Sequence, residues 1–314
     1  MNRTWTIEDV PEQVGKTYVI TGANSGLGFE TARVLVQRGA EVVLACRNRE
    51  RGEKALQSLR SESPNALAKV MSLNLASSAS IRAFAEAFLR EHDRLDVLIN
   101  NAGLMAIPFG STDDGFEMQF GTNHLGHFAL TGLLFDRLIA TGNARVVTVS
   151  SHAHRMGRIN FDDLMSQRRY DKWAAYGQSK LANLLFTFEL QRRIKTKWPS
   201  NPPLLALACH PGYSATELQG KGATMGGSKI EAFVLQIGNG IIAQNAAMGA
   251  TPSLRAATDP DVQGGEYFGP ARMMGLAGPP TKVECTASAR DPETAKRLWE
   301  VSCELTGVDF GGLG

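Results

Sequence analysis

The chain has 314 residues, 43% hydrophobic and 20% charged, which suits a globular protein of one large or two modest domains and excludes fibrous, disordered and miniprotein architectures. With 33 Lys and Arg against 31 Asp and Glu, the formal net charge is +2, so the overall electrostatic footprint of a nucleic-acid or anionic-membrane binder is missing. Four isolated cysteines, Cys46, Cys209, Cys285 and Cys303, make neither a disulfide framework nor a zinc pattern and suit a reducing compartment.

Met1 to Lys16 carries Arg3, Glu8, Asp9, Pro11 and Glu12 and lacks the apolar core of a signal peptide, so the expected location is cytoplasmic. From Lys16 to about Gly212, short Val- and Ile-rich runs alternate with stretches of helical periodicity. The expected strands are Thr17 to Thr21, Glu41 to Cys46, Ala68 to Leu73, Val97 to Asn100, Arg145 to Ser150 and Leu204 to Cys209. The expected helices are Gly28 to Arg38, Arg49 to Ser61, Ser77 to His92, Phe116 to Ala140 and Tyr176 to Lys197, the first closed by Gly39. This alternation predicts a doubly wound parallel sheet within a three-layer α/β/α sandwich.

After Gly212 come glycine-rich turns at Gly220 to Gly227 and Gly264 to Gly269, a last strand near Glu266 to Phe268 and a helix over Pro292 to Leu305. No linker divides the chain, so 1–314 reads as a single domain with an elaboration over 213–314. Ala232 to Leu254 is uncharged and long enough to span a bilayer. Its Gln236, Asn239, Gln244, Asn245 and Pro252 argue instead for a buried or substrate-covering helix pair, and no membrane span is expected.

The first strand runs into Thr21-Gly22-Ala23-Asn24-Ser25-Gly26-Leu27-Gly28 at the start of a helix. Glycines at such a junction let the backbone turn sharply and approach a pyrophosphate, whose charge the free helix amides hold. The second strand ends in Ala45-Cys46-Arg47, where an NAD site would present an acid to the ribose hydroxyls. A guanidinium there favours a 2′-phosphate, which predicts NADP(H) over NAD(H); the alternative is that Arg47, like Arg49 and Arg51, belongs to a solvated basic face.

Tyr176-Gly177-Gln178-Ser179-Lys180 places a phenol and an ammonium on one helix face. A tyrosine is a poor acid or base near neutrality, with a reference pKa of about 10, and an adjacent positive charge is expected to lower it. Ser150 and Ser151 close the fifth strand at the carboxyl edge, where open α/β sheets bind ligands. Asn100-Asn101-Ala102-Gly103 ends the fourth strand on that edge, and Asn123 follows within a helix, where its amide needs a partner, structural or catalytic.

In these motifs the chain resembles the classical short-chain dehydrogenases/reductases, most closely the retinol-dehydrogenase and protochlorophyllide-reductase-like branch. The resemblance spans about Lys16 to Thr216 and rests on the loop Thr21 to Gly28, Asn100 to Gly103, Asn123, Ser151, Tyr176 with Lys180, and Pro211-Gly212 with Thr216. It implies a Rossmann-type oxidoreductase with a tetrad of Asn123, Ser151, Tyr176 and Lys180. Tyr176 would be the general acid or base, Lys180 would lower its pKa and hold the nicotinamide ribose, Ser151 would bind the reacting oxygen, and Asn123 would position a water. It further implies that Gly22, Asn24, Ser25, Gly26, Leu27, Gly28, Arg47, Asn74, Leu75, Asn101, Ala102, Gly103, Tyr176, Lys180, Pro211, Gly212 and Thr216 contact the cofactor.

The chain departs from that pattern in three places. The 25-residue gap from Ser151 to Tyr176 is about twice the usual one, so Ser150 competes for the role of Ser151. Asn74 replaces the usual adenine-contacting aspartate. The N-terminal anchor of the vertebrate retinol dehydrogenases is not expected here, so a retinoid substrate is not implied.

His152 with His154 and His124 with His127 lack partners at ligand spacing, and no metal is expected. Arg155, Arg158, Arg168 and Arg169 read as a solvated loop, with contact to a partner subunit the alternative, and a homo-oligomer is left open. Met225, Phe233 and Ile237 would by analogy form an apolar lid over a small-molecule substrate, a lipophilic aldehyde, ketone or secondary alcohol. Two rivals carry less of the sequence. A non-catalytic dinucleotide-binding sensor or scaffold commonly loses the tyrosine or lysine, and a nucleotide-sugar epimerase usually spaces its glycines Gly-x-x-Gly-x-x-Gly.

Overall fold

The computed structural model describes residues 4–212 and 246–313. Among them, eight strands make one sheet: β1 Thr17–Thr21, β2 Glu41–Cys46, β3 Ala68–Ser72, β4 Val97–Asn100, β5 Ala144–Val149, β6 Leu204–Cys209, β7 Tyr267–Arg272 and β8 Ala277–Lys282. Their order is β3-β2-β1-β4-β5-β6-β7-β8, parallel up to β7, with β8 antiparallel on the edge. The winding reverses between β1 and β4, and a crevice opens at the carboxyl ends of such a pair. Thr21 and Asn100 terminate those two strands.

Both faces of the sheet are covered, so the central strands are continuous β-branched and aliphatic runs. Tyr18, Ile20, Val42 and Leu44 face α1 (Gly26–Gln37) and α2 (Arg49–Glu62), meeting Val34, Leu35, Leu56 and Leu59. Val19, Val43, Leu98 and Val146 point the other way. There they meet Phe84 and Phe88 of α3 (Ser78–Glu91), Phe128 of α5 (Gly126–Leu133), and Phe186 and Leu190 of α7 (Lys172–Lys197). The C-terminal helix, α9 (Pro292–Thr306), packs over the outer side of α7, which is why α7 is buried around most of its circumference.

Three features refine or extend the expected organisation. The single helix over Phe116 to Ala140 is broken into α4 (Met118–Phe120), a π turn at Gly121–Leu125, α5 and α6 (Phe135–Thr141). Ala246–Thr258 forms α8, whose Leu254, Ala256 and Ala257 pack into the sheet face shared with α1, so the described part of the uncharged stretch takes the buried one of the two expected alternatives. The remainder of that stretch, and Thr216, Met225, Phe233 and Ile237, lie outside the described residues. β8 was not anticipated, because Ala-Gly-Pro-Pro-Thr-Lys has no hydrophobic alternation, and prolines are tolerated only on an edge such as this. Among the described residues no helix is long and apolar enough to cross a membrane.

Candidate active site

The glycine loop turns where the sequence demands it. Gly22 and Gly26 have φ of +68° and +56°, conformations that favour glycine, and Gly22 donates its amide to the Ala45 carbonyl at 2.8 Å. A Cβ on Gly28 would lie 2.6 Å from Asn101 Nδ2 and 2.7 Å from the Gly22 carbonyl oxygen, so the helix start cannot carry a side chain there. Ser25, at the head of α1, makes no side-chain cap, and the first turn holds no acid. That leaves the amides of Gly26, Leu27 and Gly28 available to an anion, beside the half-buried Asn24 and Ser25, and a dinucleotide diphosphate fits this donor set. Beneath the loop, the Cys46 thiol lies close enough to the Ala23 and Asn24 amides for them to favour its ionised form, but burial outweighs them and pushes its pKa up to about 12.

Asn101 braces the loop: its Nδ2 donates to the Thr21 carbonyl at 2.7 Å, and its amide and that of Ala102 both donate to Thr21 Oγ1 at 2.9 Å. Arg47 is exposed at the end of β2. Asn74 is half-buried, its Oδ1 accepting from the Ala76 amide at 3.2 Å, which leaves Nδ2 as the donor for a ligand. Leu75 is buried under α5, its carbonyl 2.4 Å from where a Gly126 Cβ would stand. Gly212, at φ +71°, follows Pro211 and donates its amide to His210 Nδ1.

The four expected tetrad residues come together at the carboxyl edge of β4 and β5. Asp171 caps α7 by accepting from the amides of Trp173 and Ala174, so the helix starts four residues before Tyr176 and carries Tyr176 and Lys180 on successive turns. The Ser151 hydroxyl bears on the Tyr176 phenol, favouring its ionised form, and accepts from the Ala153 amide at 3.2 Å. Lys180 donates Nζ to the Val149 carbonyl at 3.1 Å, and burial pushes its pKa down to about 8. Gly103 sits between Asn123 and Lys180: a Cβ there would stand 3.2 Å from Asn123 Oδ1 and 3.4 Å from Lys180 Nζ.

Electrostatics correct one expectation. The Tyr176 phenol is held above its ordinary pKa, because burial outweighs the opposing hydrogen bond from Ser151. Lys180 lies 5.8 Å from the ring centroid and does not overcome that burial.

Two open alternatives close on geometry. Ser150 is buried and donates Oγ to the Lys180 carbonyl at 2.8 Å, so Ser151 is the serine beside Tyr176. The Asn123 amide is fully engaged with protein: Oδ1 accepts from the Leu104 amide at 2.7 Å, while Nδ2 donates to the Leu104 carbonyl and to Ser179 Oγ, each at 2.9 Å. Its main-chain carbonyl accepts from His127 Nδ1 at 2.9 Å.

Sequence reasoning missed the supports. Gln119 accepts from the Ala106 amide and donates to Tyr170 Oη, while Tyr170 donates to the Ile107 carbonyl, and together they fix the loop below the site. Gln178 pins the long segment before Tyr176 by accepting from the Asn160 amide and donating to the Leu164 carbonyl. Arg155, Arg158, Arg168 and Arg169 in that segment are exposed. The histidines weighed as metal ligands hydrogen-bond protein atoms instead: His124 to Ser302, His127 to Thr21 and Asn123, His152 to the Gly275 carbonyl and His154 to the Ser151 carbonyl. No cluster of three ligating side chains occurs among the described residues.

A glycine turn at the switch point of a doubly wound sheet, facing a Ser-Tyr-Lys group, defines the class of dinucleotide-dependent oxidoreductases. Comparison with known proteins gives the family. The family described as short chain dehydrogenase matches residues 16–225. Retinol dehydrogenase 12 of Mus musculus is 43% identical over 94% of this chain and 88% of its own length. Retinol dehydrogenase 13 of Homo sapiens is 42% identical over 94% and 86%. A crystal structure from Mycobacterium paratuberculosis, 44% identical, superposes with a TM-score of 0.80 over 98% of this chain and 99% of the other. A short-chain dehydrogenase from Shigella flexneri, solved with NADP, shares the fold at 20% identity and a TM-score of 0.62, over 82% of this chain and 98% of the other. The chain belongs to the short-chain dehydrogenase/reductase family, among retinol dehydrogenase-like members. It is an oxidoreductase acting on CH–OH or C=O groups with NAD(P).

Proposed function

We propose that this enzyme interconverts a lipophilic carbonyl compound and its alcohol with NADP(H) in the cytoplasm, with Tyr176 as the proton donor and acceptor. The observation that carries the reading is the convergence of three side chains: the Ser151 hydroxyl bears on the Tyr176 phenol, and the buried Lys180 follows one turn along α7 with its Nζ 5.8 Å from the Tyr176 ring centroid. A substrate oxygen placed between the two hydroxyls receives a hydrogen bond from Ser151 and a proton from Tyr176 Oη. A nicotinamide dinucleotide held by the Gly22–Gly28 loop would supply or accept the hydride.

Burial keeps Tyr176 protonated near neutrality, the form that reduction requires. Lys180 remains charged below about pH 8, placing a cation beside the phenol as its proton leaves. Asn123 is held in place by Leu104 and Ser179 through its amide and by His127 through its main-chain carbonyl, and that carbonyl, with a second lone pair, is the group proposed to hold a water. Exposed Arg47 favours a 2′-phosphate through charge.

The preference for a lipophilic substrate draws on relatives whose names specify retinol. It also draws on the exposed apolar side chains Phe109, Met156 and the Met273-Met274 pair. The test is a series of straight-chain aldehydes of increasing length with NADPH. Rising kcat/KM with chain length is expected, and activity confined to small polar carbonyls would reject the substrate class.

A further inference from the structure

His127 is buried, and both of its ring nitrogens are engaged. Nδ1 lies 2.9 Å from the Asn123 carbonyl oxygen, which can only accept, so Nδ1 carries the proton. Nε2 lies 2.9 Å from Thr21 Oγ1. That hydroxyl already accepts from the Asn101 and Ala102 amides, and its single proton goes to Nε2 at 2.9 Å in preference to the Ile99 carbonyl at 3.4 Å.

One neutral imidazole therefore joins two parts of the site that are far apart in sequence. On one side is Thr21, where β1 enters the glycine loop. On the other is the π turn carrying Asn123, whose widened winding shows in the Gly126 amide bonding to the Gly121 carbonyl. Single π turns in helices frequently mark functional sites. The ring cannot drift, because Thr131 Oγ1 bonds the His127 carbonyl and itself accepts from Asn100 Nδ2.

We infer that His127 is a positioning residue that sets the cofactor loop through Thr21 and the Asn123 carbonyl through Nδ1, each by a separate hydrogen bond. The groups bearing on the ring agree with its neutral form. Burial pushes its pKa down to about 4, the Lys180 ammonium disfavours a second charge, and neighbouring His124 is itself driven down to about 3. The inference rests on the proposed function, because it assigns one bond to nucleotide affinity and the other to turnover.

The two bonds separate by side-chain length. An asparagine amide stands as many bonds from Cβ as Nδ1 does, and a glutamine amide as many as Nε2. His127→Asn keeps the link to Asn123 and loses Thr21, so the Kd for NADPH should rise roughly tenfold while kcat for decanal at saturating NADPH stays within about threefold of wild type. His127→Gln keeps Thr21 and loses Asn123, and should do the reverse, with kcat down roughly tenfold and Kd little changed. His127→Phe, which fills the volume without either bond, should lose both.

Parallel losses in the Asn and Gln variants, or no loss in either, would overturn the inference by showing that the ring only packs. Wild-type protein that binds no NADPH would overturn the functional reading and the inference with it, a result distinct from an active wild type with unsplit variants. The wild-type protein gives a check that needs no variant. Long-range nitrogen-proton NMR should show His127 as the Nδ1–H tautomer between about pH 5 and 8, and the Nε2–H tautomer would overturn the assignment.

Discussion

Ser150, the first residue beyond β5, donates Oγ to the Lys180 carbonyl at 2.8 Å, whereas its neighbour Ser151 bears on the Tyr176 phenol. The extended chain leaving β5 thus gives adjacent hydroxyls different work. Ser151→Ala should lower kcat by roughly 10²- to 10³-fold with the fold intact, as removal of a donor to a developing oxyanion does. Ser150→Ala should cost about 1 kcal/mol of stability and less than about threefold in kcat. Steady-state kinetics with urea unfolding of both variants decides between the serines, and the opposite pattern would return the role to Ser150.

Lys180 gives the reaction a pH limit. Its ammonium is buried and its pKa pushed down to about 8, so the rate of carbonyl reduction should fall as the pH rises through that value. The same shift affects stability. Between about pH 8 and the ordinary lysine range, the unfolded chain holds a proton that the folded chain has released, so this group makes the fold more stable as pH rises through that window. Rate profiles and urea midpoints from pH 7 to 10 should therefore move in opposite directions. A reduction rate still climbing above about pH 9 would contradict the role given to the ammonium.

Gly28 is closed to any side chain. Gly28→Ala would bring Cβ within 2.6 Å of Asn101 Nδ2 and 2.7 Å of the Gly22 carbonyl, both fixed by the bonds that shape the loop. About 1–3 kcal/mol of destabilisation and a loss of nucleotide binding are expected. Thermal unfolding with and without NADPH reads both, and an unchanged stabilisation by NADPH would show that this loop is not where the nucleotide sits.

Arg47 is the residue on which nucleotide preference turns. Arg47→Ala should weaken NADPH binding by roughly tenfold or more and leave NADH within about twofold, since a phosphate paired to a guanidinium contributes about 1.5–3 kcal/mol. Calorimetric Kd values for both nucleotides on both proteins check this. Equal losses for the two nucleotides would assign Arg47 to a general basic face.

Much of this was readable in the sequence because the physics is local. The central strands end where Val and Ile runs meet Gly or Asn, and β1, β2, β4 and β6 match the expected bounds. The tetrad assembles because parallel strands bring successive carboxyl ends to one edge. What escaped depends on three-dimensional partners. The π turn at Gly121–Leu125 leaves the apolar spacing nearly unchanged, so Phe116 to Ala140 read as one helix. With metal set aside, the sequence offers no role for His127, since only the fold brings Thr21 beside it. The pKa of Tyr176 was misjudged because spacing reveals the Lys180 charge and conceals the burial that outweighs it.

The central claim is that Tyr176 moves the proton. The most direct measurement compares wild type with Tyr176→Phe for single-turnover carbonyl reduction and for NADPH affinity on the same preparation. The account predicts that reduction falls by roughly 10²- to 10⁴-fold, the usual worth of a positioned acid or base, while the Kd for NADPH changes by less than about threefold. A phenylalanine variant that still reduces the substrate at close to the wild-type rate would contradict it.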